Sequence, residues 1–95
     1  MPEMRFRIRW PDGSRDTCYS PSLVIKDYFV PGQSYPLGGF VAKSREALTI
    51  ASDRVAARYG FPCSLAQGQI RAIEAAAARQ PREPEGAVLV ESFEE

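Results

Sequence analysis

The seven residues Met4-Arg-Phe-Arg-Ile-Arg-Trp10 alternate without interruption between apolar and arginine side chains. Successive side chains of a strand point to opposite faces, so this pattern predicts a strand with one apolar face and one arginine face. A hairpin alone cannot cover an apolar face that carries four large side chains. We therefore expect helices to pack on that face, which predicts an α+β fold.

The turn after this strand leaves two registers open. Pro11-Asp12-Gly13 predicts a tight turn and a strand returning antiparallel over residues 15–20. Proline favours a type I turn with a glycine bulge, which sets Phe6 opposite Cys18. A two-residue turn would set Phe6 opposite Tyr19 and would pair the side chains better. The register decides whether Cys18 lies in the core or on the surface.

Helical spacing begins further along the chain. Residues 22–28 predict a short helix or an extended segment, and residues 31–36 predict a loop. A longer helix is predicted to end at Gly60, because 3.6-residue spacing connects the apolar positions 37, 41, 48, 51, 55 and 59.

A second long helix is predicted from the segment Ser64-Leu-Ala-Gln67, which matches a capping box with Ser64 as N-cap. It runs to about Arg79, and its expected buried stripe consists of residues 66, 70, 73 and 77. A proline-rich connector over residues 80–86 then leads to a third strand at residues 87–90.

The sequence thus predicts one α+β domain over residues 1–95. It comprises an N-terminal antiparallel hairpin, two main helices with a short extra helix on one sheet face, and a C-terminal third strand. That strand continues into an acidic tail at residues 91–95.

Composition excludes several classes of site. The chain has no histidine and two cysteines, which removes Ser-His and Cys-His catalysis and the usual zinc ligands. We expect no metal and no cofactor. The net charge of zero argues against nucleic-acid binding. No apolar run approaches the length of a membrane span, and the start does not resemble a signal peptide, so a cytoplasmic location with reduced thiols is expected.

The arginine face of the first strand is one candidate surface. Arg5, Arg7 and Arg9 could bind anions, because guanidinium groups pair with phosphates and carboxylates through two hydrogen bonds. Alternatively this is an ordinary solvated sheet face, with the arginines neutralised by Glu91 and Glu94.

An aromatic segment is the second candidate surface. Tyr28, Phe29 and Tyr35 lie among prolines and glycines. Aromatic side chains in such a segment either plug the core or form a binding surface, and the sequence leaves both interpretations open.

Cys63 is a weak candidate for a reactive group. It precedes a predicted helix N-terminus, where the helix dipole favours a thiolate. No base accompanies it in the sequence, so a buried, inert cysteine is the alternative.

Several segments together resemble a known family. The chain is similar to the small bacterial nitrogen-starvation-response family in residues 4–13, 18–28, 44–55 and 73–78, and at Phe61 and Cys63. The resemblance implies a genetic setting: clusters with a nitrilase, a radical-SAM enzyme, an acetyltransferase-like protein and a flavoprotein. Such clusters are associated with nitrogen limitation and with nitriles or cyanide as nitrogen sources. It implies no catalytic or binding residue.

Two hypotheses of function follow. The first is a non-catalytic accessory or protein-binding component of a nitrogen-assimilation pathway, whose partner is another protein of the same gene cluster. The second is a small cysteine-dependent enzyme or carrier that uses Cys63. A homodimer formed through an exposed edge strand is also possible.

Overall fold

The computed structural model describes residues 2–81 and 86–95. Within these residues the elements are β1 (Met4–Arg9), β2 (Arg15–Ser20), α1 (Ile25–Tyr28), β3 (Ser34–Pro36), α2 (Leu37–Tyr59), α3 (Ser64–Ala78) and β4 (Ala87–Glu94). The strands form one antiparallel sheet in the order β2-β1-β4-β3. The predicted α+β fold is confirmed, with an N-terminal hairpin and helices on one sheet face.

The hairpin adopts the bulged turn. Trp10 N–H donates to Ser14 O at 2.8 Å, Gly13 N–H donates to Trp10 O at 2.9 Å, and Gly13 has φ +89°. This turn sets Phe6 opposite Cys18, and Cys18 is buried as a result. The backbone preferences of proline and glycine therefore outweighed the side-chain pairing that favoured the other register.

The prediction of a loop over residues 31–36 is wrong at its end. Ser34–Pro36 forms β3, which pairs with residues 87–89 of β4. A strand of three residues is too short to show a period of two, and it forms because β4 offers it a free edge. The C-terminal strand is therefore the fourth, and it lies inside the sheet between β1 and β3.

A bulge interrupts the pairing of β1 with β4. Arg7 faces Ser92 whereas Ile8 faces Val90, so Glu91 is the extra residue on β4. The bulge shifts the alternation by one position. Phe93 can therefore face Phe6 on the same side as Val90 although the two are three residues apart.

The core lies between the apolar sheet face and the helices. The predicted stripe of α2 is only partly correct, since Val41 and Val55 are half-buried and Tyr59 is exposed. The buried positions of α2 are Leu37, Phe40, Ser44, Ala47, Leu48, Ala51 and Ser52. Two of these are serines, which a search for apolar spacing alone overlooks.

The capping box predicted for α3 is wrong. The N-cap is Cys63 rather than Ser64, and no side chain of the box makes a cap hydrogen bond. Instead the Cys63 N–H donates to Ser52 Oγ of α2 at 3.1 Å. A tertiary contact thus satisfies the N–H of the N-cap residue, which in a capping box bonds to the side chain at N3.

The predicted stripe of α3 is partly correct, and a residue beyond the helix contacts the hairpin turn. In its predicted stripe residues 66 and 73 are buried, and residues 70 and 77 are half-buried. Beyond its C-terminus, Gln80 is buried and its amide oxygen accepts from Asp12 N–H at 3.1 Å, which holds the hairpin turn against the helix. Residues 82–85 of the predicted connector lie outside the described residues.

Candidate functional site

The arginines of β1 lie on the solvent side of the sheet beside glutamates of β4. Arg7 forms an ion pair with Glu94, and an oxygen of Glu91 lies 3.4 Å from Arg9. Arg5 lies 3.9 Å from Glu3. The three guanidinium groups are therefore paired with carboxylates in the folded chain, which leaves this face without a large excess of positive charge.

The aromatic segment belongs largely to the core. Phe29 is only 1% exposed, and its ring lies 5.2 Å from that of Phe40 and 5.1 Å from that of Tyr35. The Phe29 side chain is thus a core plug and cannot contact a partner in this conformation. The Tyr35 hydroxyl accepts from Val30 N–H at 2.8 Å, which ties the loop before β3 to the same cluster.

Tyr28 is half-buried at the margin of this cluster. Partial desolvation raises the pKa of its phenol, and the nearby carboxylate of Glu46 raises that pKa further. Tyr28 and Tyr35 both pack against the core, so each ring is only partly exposed to solvent.

The large apolar side chains that are most exposed among the described residues lie elsewhere. Tyr59 is 54% exposed, Phe61 67% and Leu65 65%. They occupy the last residue of α2, the connection after it and the first turn of α3. We call this end of the helical pair, residues 59–65, the tip.

Helix length explains why the tip is exposed. The 23 residues of α2 span about 34 Å at 1.5 Å per residue, whereas the eight-residue β4 spans about 27 Å. No residue of α2 after Ser52 is buried. The final two turns of the helix therefore contribute no buried side chain, and their apolar residues remain outside the core.

Two local features shape the tip. Gly60 ends α2 with φ +89°, and its N–H donates to Ala56 O at 2.8 Å. Only glycine adopts this conformation without strain. The bond from Cys63 N–H to Ser52 then holds the connection against α2, so the backbone that carries Phe61 is fixed at both sides.

Sequence reasoning missed the tip because it assigned Tyr59 to the apolar stripe of α2 and gave Phe61 no structural role. Periodicity identifies which residues share a helix face, and it does not show where the neighbouring sheet ends. The mismatch between the predicted lengths of helix and strand was the available signal.

The two cysteines are free thiols in different surroundings. Cys18 is buried between β2 and α3, and desolvation raises its pKa to about 12, assisted by the charge of Asp16. Cys63 is half-buried. Within residues 2–81 and 86–95, no group of three or more cysteine, aspartate or glutamate side chains could hold a metal ion.

Comparison with known protein families gives a match over nearly the whole chain. The model of a family described as nitrogen starvation-induced protein NitG matches residues 5–93. No curated protein and no solved structure matches the chain. In the part of the chain that the structure describes, no helix is long and apolar enough to span a membrane.

Proposed function

Because the chain belongs to the family of nitrogen starvation-induced protein NitG, we propose that it is a non-catalytic accessory component of a nitrogen-assimilation pathway. It acts by binding another protein through the tip. The partner is an enzyme encoded in the same gene cluster, in a pathway that uses nitriles or cyanide when nitrogen is scarce. The proposed site of action is the cytoplasm.

The exposure of the tip is the observation that carries this proposal. Two aromatic rings and a leucine, each more than half exposed, lie within seven residues at one end of the molecule. Tyrosine is enriched among the residues that dominate binding energy at interfaces. Burying the exposed parts of these three side chains would contribute about 3–6 kcal/mol before the costs of association.

Charge near the tip indicates the chemistry of the partner. Residues 53–65 contain two arginines, Arg54 and Arg58, and one carboxylate, Asp53. Among the described residues neither guanidinium forms an ion pair. The side chain of Arg58 lies 5.7 Å from the ring centre of Tyr59, and Arg54 donates to Ser22 Oγ at 2.9 Å. The partner surface that fits best is an apolar pocket bordered by carboxylates.

The test compares substitutions at the tip with a substitution at an exposed apolar residue outside it. The intact chain is purified from nitrogen-starved cells with its bound proteins, and each captured enzyme is then purified and titrated directly. The double variant Phe61→Ser, Leu65→Ser should weaken binding about 100-fold, the loss of one strong interface anchor. Val30→Ser is the matched control, because Val30 is 51% exposed but lies far along the chain from the tip.

The same variants show which result would contradict docking at the tip. All three positions are exposed, so thermal unfolding should be unchanged within about 0.5 kcal/mol. Equal affinity of the double variant and the wild type for a purified partner would remove the tip as the docking surface.

Cys63 chemistry remains the second candidate. Its sulfur belongs to the N-cap residue of a 15-residue helix and is half-buried. Cys63→Ser should leave growth on a limiting nitrogen source unchanged if the chain acts only by binding. Loss of growth with partner affinity intact would support the cysteine-dependent alternative.

A further inference from the structure

We propose that the free edge of β2, with the groove between β2 and α3, binds a short acidic segment of another protein as an added strand. This surface is separate from the tip and does not depend on the function proposed for it.

The hydrogen-bond pattern of the hairpin shows which backbone groups are free. Trp10 and Ser14 form a hydrogen-bonded pair next to the turn. Paired residues alternate between bonded and non-bonded along an antiparallel ladder. The N–H and C=O groups of Arg15 and Thr17 consequently point away from β1, and among the described residues nothing pairs with them.

The stretch of free backbone groups is short, because it is bounded at both ends. At one end the Tyr19 N–H, which has the same orientation, donates to Gln69 Oε1 of α3 at 2.9 Å. At the other end the chain enters the turn at Ser14. The opposite edge of the sheet, β3, is three residues long and ends in Pro36, which lacks a donor. The free edge of β2 therefore fits an extended segment of about three residues.

Depressions flank this edge on both sides of the sheet. The inner one, of about 300 Å³, lies between β2 and α3 and is lined by Cys18, Ala72 and Arg79 among others. The outer one, of about 150 Å³, is lined by Arg7, Arg15 and Glu91 together with residues of β2. Asp16 and Thr17 border both. Since the side chains of an added strand alternate between the two faces, each depression can receive one of them.

The charges around the edge favour an acidic occupant. Arg9 and Arg15 share a single oxygen of Glu91, at 3.4 Å and 3.5 Å. Arg79, in the inner depression, forms no ion pair within the described residues. The carboxylates beside the edge are Glu91 and Asp16, and Asp16 accepts a hydrogen bond from the Trp10 indole N–H at 2.7 Å. Three guanidinium groups, Arg9, Arg15 and Arg79, thus face two carboxylates, and this excess of positive charge favours a carboxylate on the incoming strand.

A second copy of this chain fits the edge less well. Symmetric pairing centred on Asp16 sets two aspartates directly opposite one another, and pairing centred on Arg15 does the same with two arginines. Pairing centred on Thr17 requires the Tyr19 amide, which Gln69 already occupies. A strand from a different protein meets none of these obstacles.

The test uses peptides selected on the full-length chain. A random heptapeptide library displayed on phage is selected at low salt, and the enriched peptides are synthesised and titrated. We expect enrichment of aspartate and glutamate. Methylation of alternate backbone amides in a selected peptide should weaken binding at least tenfold, whereas methylation of the intervening amides should change it less than twofold.

Protein variants and amide hydrogen exchange show where on the chain the selected peptide binds. Arg79→Ala should weaken peptide binding about fivefold or more, and Arg71→Ala, an exposed arginine of the same helix, should not. Bound peptide should slow hydrogen exchange at the Arg15 and Thr17 amides. The proposal is overturned by a library without enriched peptides, by a uniform effect of methylation, or by a footprint on residues 59–65. Concentration-dependent protection of the same amides without peptide would also overturn it, because the occupant would then be a second copy.

Discussion

Phe29 and Phe61 undergo the same chemical change when replaced by alanine, and the structure predicts opposite consequences. Phe29 is 1% exposed and packs against the rings of Phe40, Tyr35 and Phe6, whereas Phe61 is 67% exposed. Truncating a buried phenylalanine costs about 3–5 kcal/mol. Truncating an exposed phenylalanine changes the free energy of unfolding by no more than about 0.5 kcal/mol. We expect Phe29→Ala to lose a large fraction of the folding free energy, which is about 5–15 kcal/mol for a domain of this kind.

Equilibrium unfolding in urea measures the difference. Trp10 is the single tryptophan and is 2% exposed, so its fluorescence reports exposure of the core. With an m-value of about 2 kcal/mol/M, Phe29→Ala should lower the midpoint by about 2 M, and Phe61→Ala by less than about 0.3 M. A cost above about 2 kcal/mol for Phe61→Ala, or below about 1 kcal/mol for Phe29→Ala, would refute the assignment of one ring to the core and the other to the tip.

Three further predictions concern the buried thiol of Cys18 and the backbone of the tip. Because burial raises the pKa of Cys18 to about 12 in the folded chain, from an ordinary value of 9.0, the unfolded chain loses this proton first as pH rises. The stability that the buried thiol contributes is then complete below pH 9 and falls by about 1.4 kcal/mol per unit toward pH 12. Cys18→Ala should remove that slope in urea titrations. Gly60→Ala should cost about 1–2 kcal/mol in thermal unfolding, because φ is +89° there; an unchanged Tm would contradict the left-handed cap. Ser52→Ala should cost about 1–2 kcal/mol and speed hydrogen exchange at the Cys63 amide, whose acceptor it removes; continued protection of that amide would show that another group satisfies it.

Local chemistry made parts of the fold predictable. The hairpin follows from strict alternation in residues 4–10, whereas the sequence left its register open between two turns until the structure showed the bulged one. The end of α2 at Gly60 and the presence of α3 follow from residues within a few positions of each element. In these cases the deciding interactions lie within one or two turns or strands, so their signals appear in neighbouring letters of the sequence.

The incorrect predictions, and the bulge that was not predicted, share the opposite property. β3 exists because β4 provides it with a partner, and the N-cap of α3 is satisfied by Ser52, 11 residues earlier in the chain. The bulge at Glu91 is set by pairing with β1. Each depends on a contact between segments distant in sequence, which neither periodicity nor motif spacing records.

The candidate surfaces follow the same division. The sequence alone determined that the chain lacks the histidine-based catalytic sets and that its arginines alternate along the first strand, because both are properties of the letters themselves. Only the tertiary structure decided that Phe29 enters the core while Phe61 remains in solvent, and that the edge of β2 is left open. Burial and free hydrogen-bonding groups depend on what lies alongside a residue, and the ends of the sheet and of α2 set that arrangement.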